Sequence, residues 1–283
     1  MAGSWQFLWG ISAQHKGALA ITYALTILEN IAALLYPMLI GWAIDGLLAD
    51  DRTALYGLLV VLVAHLAIGV GRHMFDTRVF SRIYADLAGA MVLRQRSSGT
   101  CIEQVAARVS LSREIVSFWQ IEIPAIAKAM VSFGGAILLL LSLSLPVGGV
   151  ALATLVPIAA ANWWFGHRSF RLNSALNDAL EREVAIVANA SPAKVHTHFA
   201  RLTRWRVRVS DAEAMTWSVV ELAIIGLIIA ALLILSQVPG ATPGMIFAVL
   251  GYVLVFGDAV NDLPNIVQNT ARVQDIVARV RMG

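Results

Sequence analysis

The chain of 283 residues has little of what a soluble protein needs most: only 14% of its residues are charged, against about 25% in ordinary globular domains. It has one cysteine, Cys101, which excludes an internal disulfide and any cysteine-rich metal centre. Lysine occurs only at positions 16, 128 and 194, and no G-x-x-x-x-G-K-[ST] run surrounds any of them. The loop that cradles nucleotide phosphates with backbone amides and a lysine is therefore missing. No Ser-His-Asp, Cys-His or paired-carboxylate arrangement reads as an enzyme site. What the chain does have is apolar surface. Hydrophobic residues make up 58% of it and the mean hydropathy is +0.73. These values exclude a disordered chain, a nucleic-acid-binding domain and an ordinary cytosolic enzyme, and leave a polytopic membrane protein.

A helix needs about 20 apolar residues to cross a bilayer, and six stretches qualify: 17–48, 54–71, 125–145, 147–166, 217–238 and 244–264. Backbone groups in lipid must be satisfied within the segment, so runs of this length are read as helices. Pro146, Pro239 and Pro243 fall between spans, where a missing backbone donor does least harm.

The basic residues set the orientation. The short connections 49–53, around Pro146, and 239–243 contain one basic residue among them, Arg52. Nearly all the others lie at Lys16, in 72–113, in 168–208 and in 272–281. The positive-inside rule places these segments and both termini in the cytoplasm of an integral, expectedly bacterial inner-membrane, protein. The first ten residues lack the basic start of a signal peptide. Trp5, Leu8 and Trp9 would share one face of a short helix, which suits either an interfacial segment over 1–16 or a frayed apolar end.

The long inner connections, 72–124 and 167–216, do not read as loops. Leu172, Leu176, Leu180, Val184 and Val187 recur at helical spacing among polar residues, as do Phe80, Ile83, Leu87 and Met91. Both spans should therefore continue as amphipathic helices below the membrane. Thr100 and Glu103 form a capping box after a Ser-Ser-Gly turn. Ser191-Pro192 reads as an N-cap followed by proline at the first helical position, giving a short separate helix over 193–199. Ser210 and Glu213 form another capping box before the fifth span.

Six spans with tiny outer turns and two long helical inner connections resemble the transmembrane domain of an ABC exporter (type I exporter fold). The stretch Tyr36-Pro37-Met38-Leu39-Ile40-Gly41-Trp42-Ala43-Ile44-Asp45 is similar to the pattern of such domains where the first span leaves the membrane. Gly99, followed by Arg108 and Glu114, is similar in outline to their first intracellular loop. The resemblance implies an all-α six-helix domain over 1–283 and a dimer, expectedly a domain-swapped homodimer, because a pathway takes twelve spans. It also implies that the inner connections carry coupling helices that press on ATPase domains. Thr100, Glu103, Pro192, Lys194, His196 and His198 would belong to those elements. ATP and Mg²⁺ would enter only through a partner ATPase; the chain needs no cofactor or metal of its own, and no nucleic acid.

Ionisable groups at bilayer depth are costly and mark functional sites by default. Glu29 lies within the first span, and Thr22, Thr26, Asn30, Ala33, Tyr36 and Pro37 share its arc at about 3.6 residues per turn. Asp258, Asn261, Asp262, Asn265 and Asn269 share a face of the sixth span. The third span carries Glu122 and Lys128, and the fifth carries Glu221. Glu29 with Asn30 is the leading candidate for a solute or proton pathway, and Asp258 is weighed evenly against a structural role. Glu122, Glu221 and Asp262 read first as solvated or ion-paired groups near the inner interface, and Lys128 as a structural counter-ion. The acidic excess would favour cations or bind protons. His196 and His198 lack the further ligands that a zinc site needs, and His65 reads as a packed residue of the second span.

Three functions follow. The first is the membrane-spanning subunit of an exporter-type transporter that uses a separately supplied ATPase. The second is a stand-alone proton-coupled carrier of the same fold, taking up peptides or cationic solutes. The third is a membrane scaffold or regulatory subunit that does not transport.

Overall fold

The computed structural model describes residues 15–97, 113–114, 116–181, 183, 186–187 and 191–282. The described residues are helical throughout apart from short turns, with no strand among them. The elements are α1 (Lys16–Leu34), α2 (Tyr36–Leu48), α3 (Thr53–Ser97), a π-helical turn (Phe118–Glu122), α4 (Ile123–Leu143), α5 (Leu145–Glu181), α6 (Pro192–Ser236) and α7 (Pro243–Met282). Among the described residues, six segments are long and apolar enough to cross a membrane: Lys16–Leu48, Thr53–Ala90, Phe118–Leu143, Leu145–Ser169, Pro192–Ser236 and Pro243–Asp262.

Proline chemistry shapes the first and third of these. The stretch 17–48, expected as one helix, breaks at Leu35 because Pro37 offers no N–H and its ring crowds the carbonyl four residues back. The Leu35 amide is shared between the Ile31 and Ala32 carbonyls, each at 3.2 Å, and α2 restarts at Tyr36. Before Pro124 the backbone widens into the π-helical turn, which carries Glu122 at its end.

In the α2–α3 turn, Asp50 adopts a positive φ of 56°. The Asp51 carboxylate accepts hydrogen bonds from the Thr53 amide at 2.9 Å and the Thr53 hydroxyl at 2.6 Å. Those bonds hold its pKa below the usual carboxylate value. The turn before α7 uses Gly240 at φ 81°, where a side chain would be strained.

The chain divides into two compact units, Met1–Leu143 with Val238–Gly283, and Ser144–Gln237. In the first unit α7 is the buried element. Val249, Tyr252, Val253 and Phe256 are fully enclosed, packed against α2 and α4, and Phe256 stacks on Phe133 with ring centroids 5.7 Å apart. A second core joins Leu19 of α1, Val79, Phe80 and Ile83 of α3, and Val116, Phe118 and Trp119 before α4. The Tyr23 hydroxyl ties the two sides by donating to the Trp119 carbonyl at 3.2 Å.

The second unit is the hairpin of α5 and α6. Ala212, Thr216, Val220, Ile224, Leu227, Ala231 and Leu235 form one buried ridge of α6 at three- and four-residue spacing, and Val147, Ala151 and Ile158 are buried on α5. α6 runs unbroken from Pro192 to Ser236, so the expected separate helix over 193–199 is instead its first two turns. Ser210 and Glu213 lie inside it and cap nothing. The reason is local: between Ala193 and Ser236 there is no proline, and the first glycine is Gly226, so nothing competes with continued helix. Ser191 does take the extended N-cap conformation, without a side-chain hydrogen bond.

Candidate functional site

The first unit holds two separate polar clusters, and they divide residues that the sequence places side by side. Glu29 faces α3. Its carboxylate accepts a hydrogen bond from Arg72 Nε, and Arg72 Nη1 donates to Asp76 Oδ2 at 2.8 Å, so one guanidinium serves two carboxylates. His65 Nε2 is 3.9 Å from Glu29 Oε1, while His65 Nδ1 bonds the Tyr36 hydroxyl. Gly69 leaves room for the Glu29 head: a Cβ there would lie 3.2 Å from Oε1. Asp76 is buried, and its Oδ1 has no hydrogen-bond partner. Beside this network runs a groove of about 470 Å³ lined by Glu29, Tyr36, His65 and His73 with apolar residues of α3.

Asn30 lies on another side of α1, because one residue turns a helix by about 100°. It lines a cavity of about 180 Å³ between α1, α4 and α7, together with Lys128, Ser132, Asp258 and Asp262. Small residues, Ala33, Ala129 and Ala259, form much of the remaining wall. The Asn30 amide nitrogen is held by the Thr26 carbonyl at 2.7 Å, and the Thr26 hydroxyl in turn donates to the Thr22 carbonyl at 2.9 Å. Lys128, Ser132, Asp258 and Asp262 make no hydrogen bond or ion pair among the described residues. Lys128 stands about 22 Å along α4 from Leu143, and Asp258 about 22 Å along α7 from Pro243, at about 1.5 Å per residue. Charged groups of both signs therefore stand at similar depth within membrane-length helices, facing one cavity and not joined to each other.

The remaining sites are apart from this cavity. Glu122 ends the π-helical turn. Glu221 lies half-buried on α6 in the second unit. Of the residues expected in the second coupling element, Pro192, Lys194 and His196 are exposed on the first turns of α6. His198 is buried, with Nε2 unpartnered and its ring edge-on to Phe199 at 5.5 Å. Thr100 and Glu103 lie outside the described residues.

The motif from Tyr36 to Asp45 has a packing explanation. Pro37, Gly41 and Asp45 are four apart and lie on one stripe of α2 against α7. Pro37 rests on Gly251, where an added Cβ would come within 2.7 Å of the Pro37 Cβ. Gly41 and Gly244 bring the two backbones together so closely that a Cβ on either would strike the other's carbonyl oxygen. Asp45 bonds Thr242 and the Gly244 amide at the start of α7.

A family model described as ABC transporter transmembrane region matches residues 8–244 of this chain. The chain belongs to this family. The match runs from the N-terminal segment through α6 to the first residues of α7, so it includes Asn30, Lys128 and the exposed Pro192, Lys194 and His196 of α6, whereas Asp258 and Asp262 lie beyond it. No curated protein shows a significant match. The chain is thus the membrane-spanning region of a transporter-type protein, built on six apolar helices.

Sequence reasoning passed over Arg72 and Asp76 as part of a basic inner segment and did not single out Ser132. The four-residue spacing of Arg72 and Asp76 was an available signal for an ion pair on one helix face. No spacing in the sequence brings Ser132 to α7.

Proposed function

We propose that this chain is the transmembrane subunit of an exporter-type ABC transporter, working as a dimer and moving a solute by alternating access with an ATPase on a separate chain. The observation that carries the reading is the family match over residues 8–244. The helix lengths support it. α3 and α6 have 45 residues each, about 68 Å, and the hydrocarbon core is about 30 Å thick. More than half of each can therefore project beyond the bilayer, at ends rich in arginine, which makes that side the cytoplasm. The exposed Pro192, Lys194 and His196 form the docking surface for the ATPase, with Thr100 and Glu103 in the first connection. Glu29 is the counter-ion of Arg72, and the solute meets Asn30, Lys128, Asp258 and Asp262. ATP and Mg²⁺ are held by the partner.

The division into two units supports domain swapping, in which the α5–α6 hairpin packs on the second copy. The hairpin leaves Leu152, Val156, Leu222, Ile229 and Leu233 exposed, and α3 leaves Leu59, Val60, Val63 and Leu66 exposed, giving apolar faces for such an exchange or for lipid.

The test is reconstitution in liposomes with a P-loop ATPase encoded beside the chain. ATPase activity stimulated only in the mixture, and abolished by Lys194→Glu, is expected. A specific observation favours a second reading: the unpaired Asp258 and Asp262 suit a proton-coupled carrier. Uptake driven by a pH gradient without ATP would establish that reading instead. Failure of both assays would leave a non-transporting scaffold.

A further inference from the structure

We infer that the α1–α4–α7 cavity binds a small zwitterion, its ammonium group at Asp258 and its anionic group at Lys128. The inference rests on the proposed role of this cavity as the solute site and adds the chemical class of the solute.

Charge pairing separates this cavity from its neighbour. Arg72 pairs with both Glu29 and Asp76, although Asp76 Oδ1 keeps no partner of its own. In the cavity, a lysine and two aspartates face the same space of about 180 Å³ and form no ion pair, although they stand at similar depth. Lys128, Asp258 and Asp262 are exposed to that space rather than packed away, and charges held open within membrane-length helices mark solute or ion pathways. The space separates two helices: Lys128 and Ser132 project from α4, and Asp258 and Asp262 from α7. A ligand spanning it meets a cation on one wall and carboxylates on the other. Asp258 and Asp262 are one turn apart on one face. Asp262 is about 28 Å from the start of α7, close to the hydrocarbon boundary, where water screens it. Asp258 and Lys128 are the deeper pair and set the main charge match.

Size points the same way. The cavity holds about six waters at ~30 Å³ each, the volume of an amino acid or a small dipeptide. Its alanine walls leave room for a backbone-like ligand, and the Asn30 carbonyl oxygen, with no partner among the described residues, can accept from an ammonium or amide N–H. A plain cation would leave Lys128 opposed to it across the cavity; a plain anion would face two carboxylates.

The experiment uses the full chain in lipid nanodiscs and isothermal titration with four probes: glycyl-alanine, its N-acetyl derivative, its C-terminal amide, and the doubly blocked compound. The free dipeptide should bind about tenfold or more tightly than either singly blocked form, the scale of one charged hydrogen bond. Lys128→Met should erase the preference for a free carboxylate while keeping that for a free amine, and Asp258→Asn should do the reverse. Lys128→Arg should restore binding, and unchanged thermal unfolding of each variant shows that the fold is intact. Equal or tighter binding of the amide would make this a simple cation site and overturn the inference. Four equal affinities, or no binding at millimolar concentration, would overturn it as well. Because the assay needs neither ATPase nor transport, its failure is distinct from failure of the transporter reading.

Discussion

Asp45 and Gly244 are joined across two helices: the Asp45 Oδ1 accepts the Gly244 amide at 2.8 Å, so the end of α2 caps the beginning of α7. The second oxygen, Oδ2, accepts the Thr242 hydroxyl at 2.6 Å, and Thr242 Oγ1 in turn accepts the Met245 amide at 3.1 Å. The first amides of a helix have no intrahelical partners and carry the positive end of its dipole. A carboxylate from a neighbouring helix therefore supplies hydrogen bonds and charge together. This fixes α7, which carries Asp258 and Asp262, in register with α2.

Removing that carboxylate should loosen one end of α7 before the rest of the unit. Asp45→Ala is expected to cost about 1–2 kcal/mol, in the range of a lost cap, and Asp45→Asn about half as much. Hydrogen exchange at the amides of 244–247 should accelerate while those around Phe256 hold their protection. Uniform loss of protection along α7 would show that Asp45 acts through global stability rather than as a cap.

The glycine contacts make a sharper steric test. At Gly251 an added methyl group would meet Pro37, so Gly251→Ala should destabilise by about 1–2 kcal/mol despite the better helix propensity of alanine. Gly134, with nothing within 4 Å of the built Cβ, is the control, and Gly134→Ala should be neutral or gain up to about 1 kcal/mol. Thermal unfolding in detergent, followed by tryptophan fluorescence, reads both. Equal effects at the two positions would mean that α2 and α7 do not approach as described.

Much of this fold was legible because a bilayer leaves few choices. Long apolar runs give spans, and sustained periodicity through Leu172, Leu176 and Leu180 gives a helix that continues past the fourth span to Glu181. The breaks were harder to read. Pro37 interrupts its helix, whereas Pro157 sits inside α5 without ending it, so the effect depends on how neighbouring helices rehouse the freed carbonyls. Ser210 and Glu213 carried a start signal that continuous helix overrode. For the site, side-chain depth could be counted along the sequence, but pairing could not. Glu29 and Asn30 are neighbours in the chain yet face different helices, and only packing decides that Arg72 meets the first and that Lys128 shares a cavity with the second.

That pairing is open to a double-mutant cycle. Arg72→Met leaves Glu29 and Asp76 without their shared cation and should cost about 2–3 kcal/mol, moderated because the Arg72 and Glu29 side chains keep 24% and 21% exposure. Glu29→Gln should cost less, since the amide can still accept from Arg72 and Asp76 still balances the guanidinium. In the double variant part of the Arg72→Met penalty should return, with a coupling of about 1 kcal/mol or more. Additive losses would mean that the two side chains do not interact in the membrane.

Two histidines that look alike in sequence should behave differently. His196 is exposed on the first turns of α6 and belongs to the proposed docking surface, while His198 points into its own unit, buried and with Nε2 unpartnered. An unsatisfied buried polar atom costs stability, so His198→Leu, of similar bulk, should leave the unfolding temperature unchanged or raise it by a few degrees. With no surface for a partner to touch, it should also leave stimulation of a docked ATPase intact. His196→Ala should do the opposite, with unchanged unfolding and ATPase stimulation reduced severalfold at equal protein concentration. Loss of stimulation in His198→Leu with its stability intact would move the docking surface to the other side of α6.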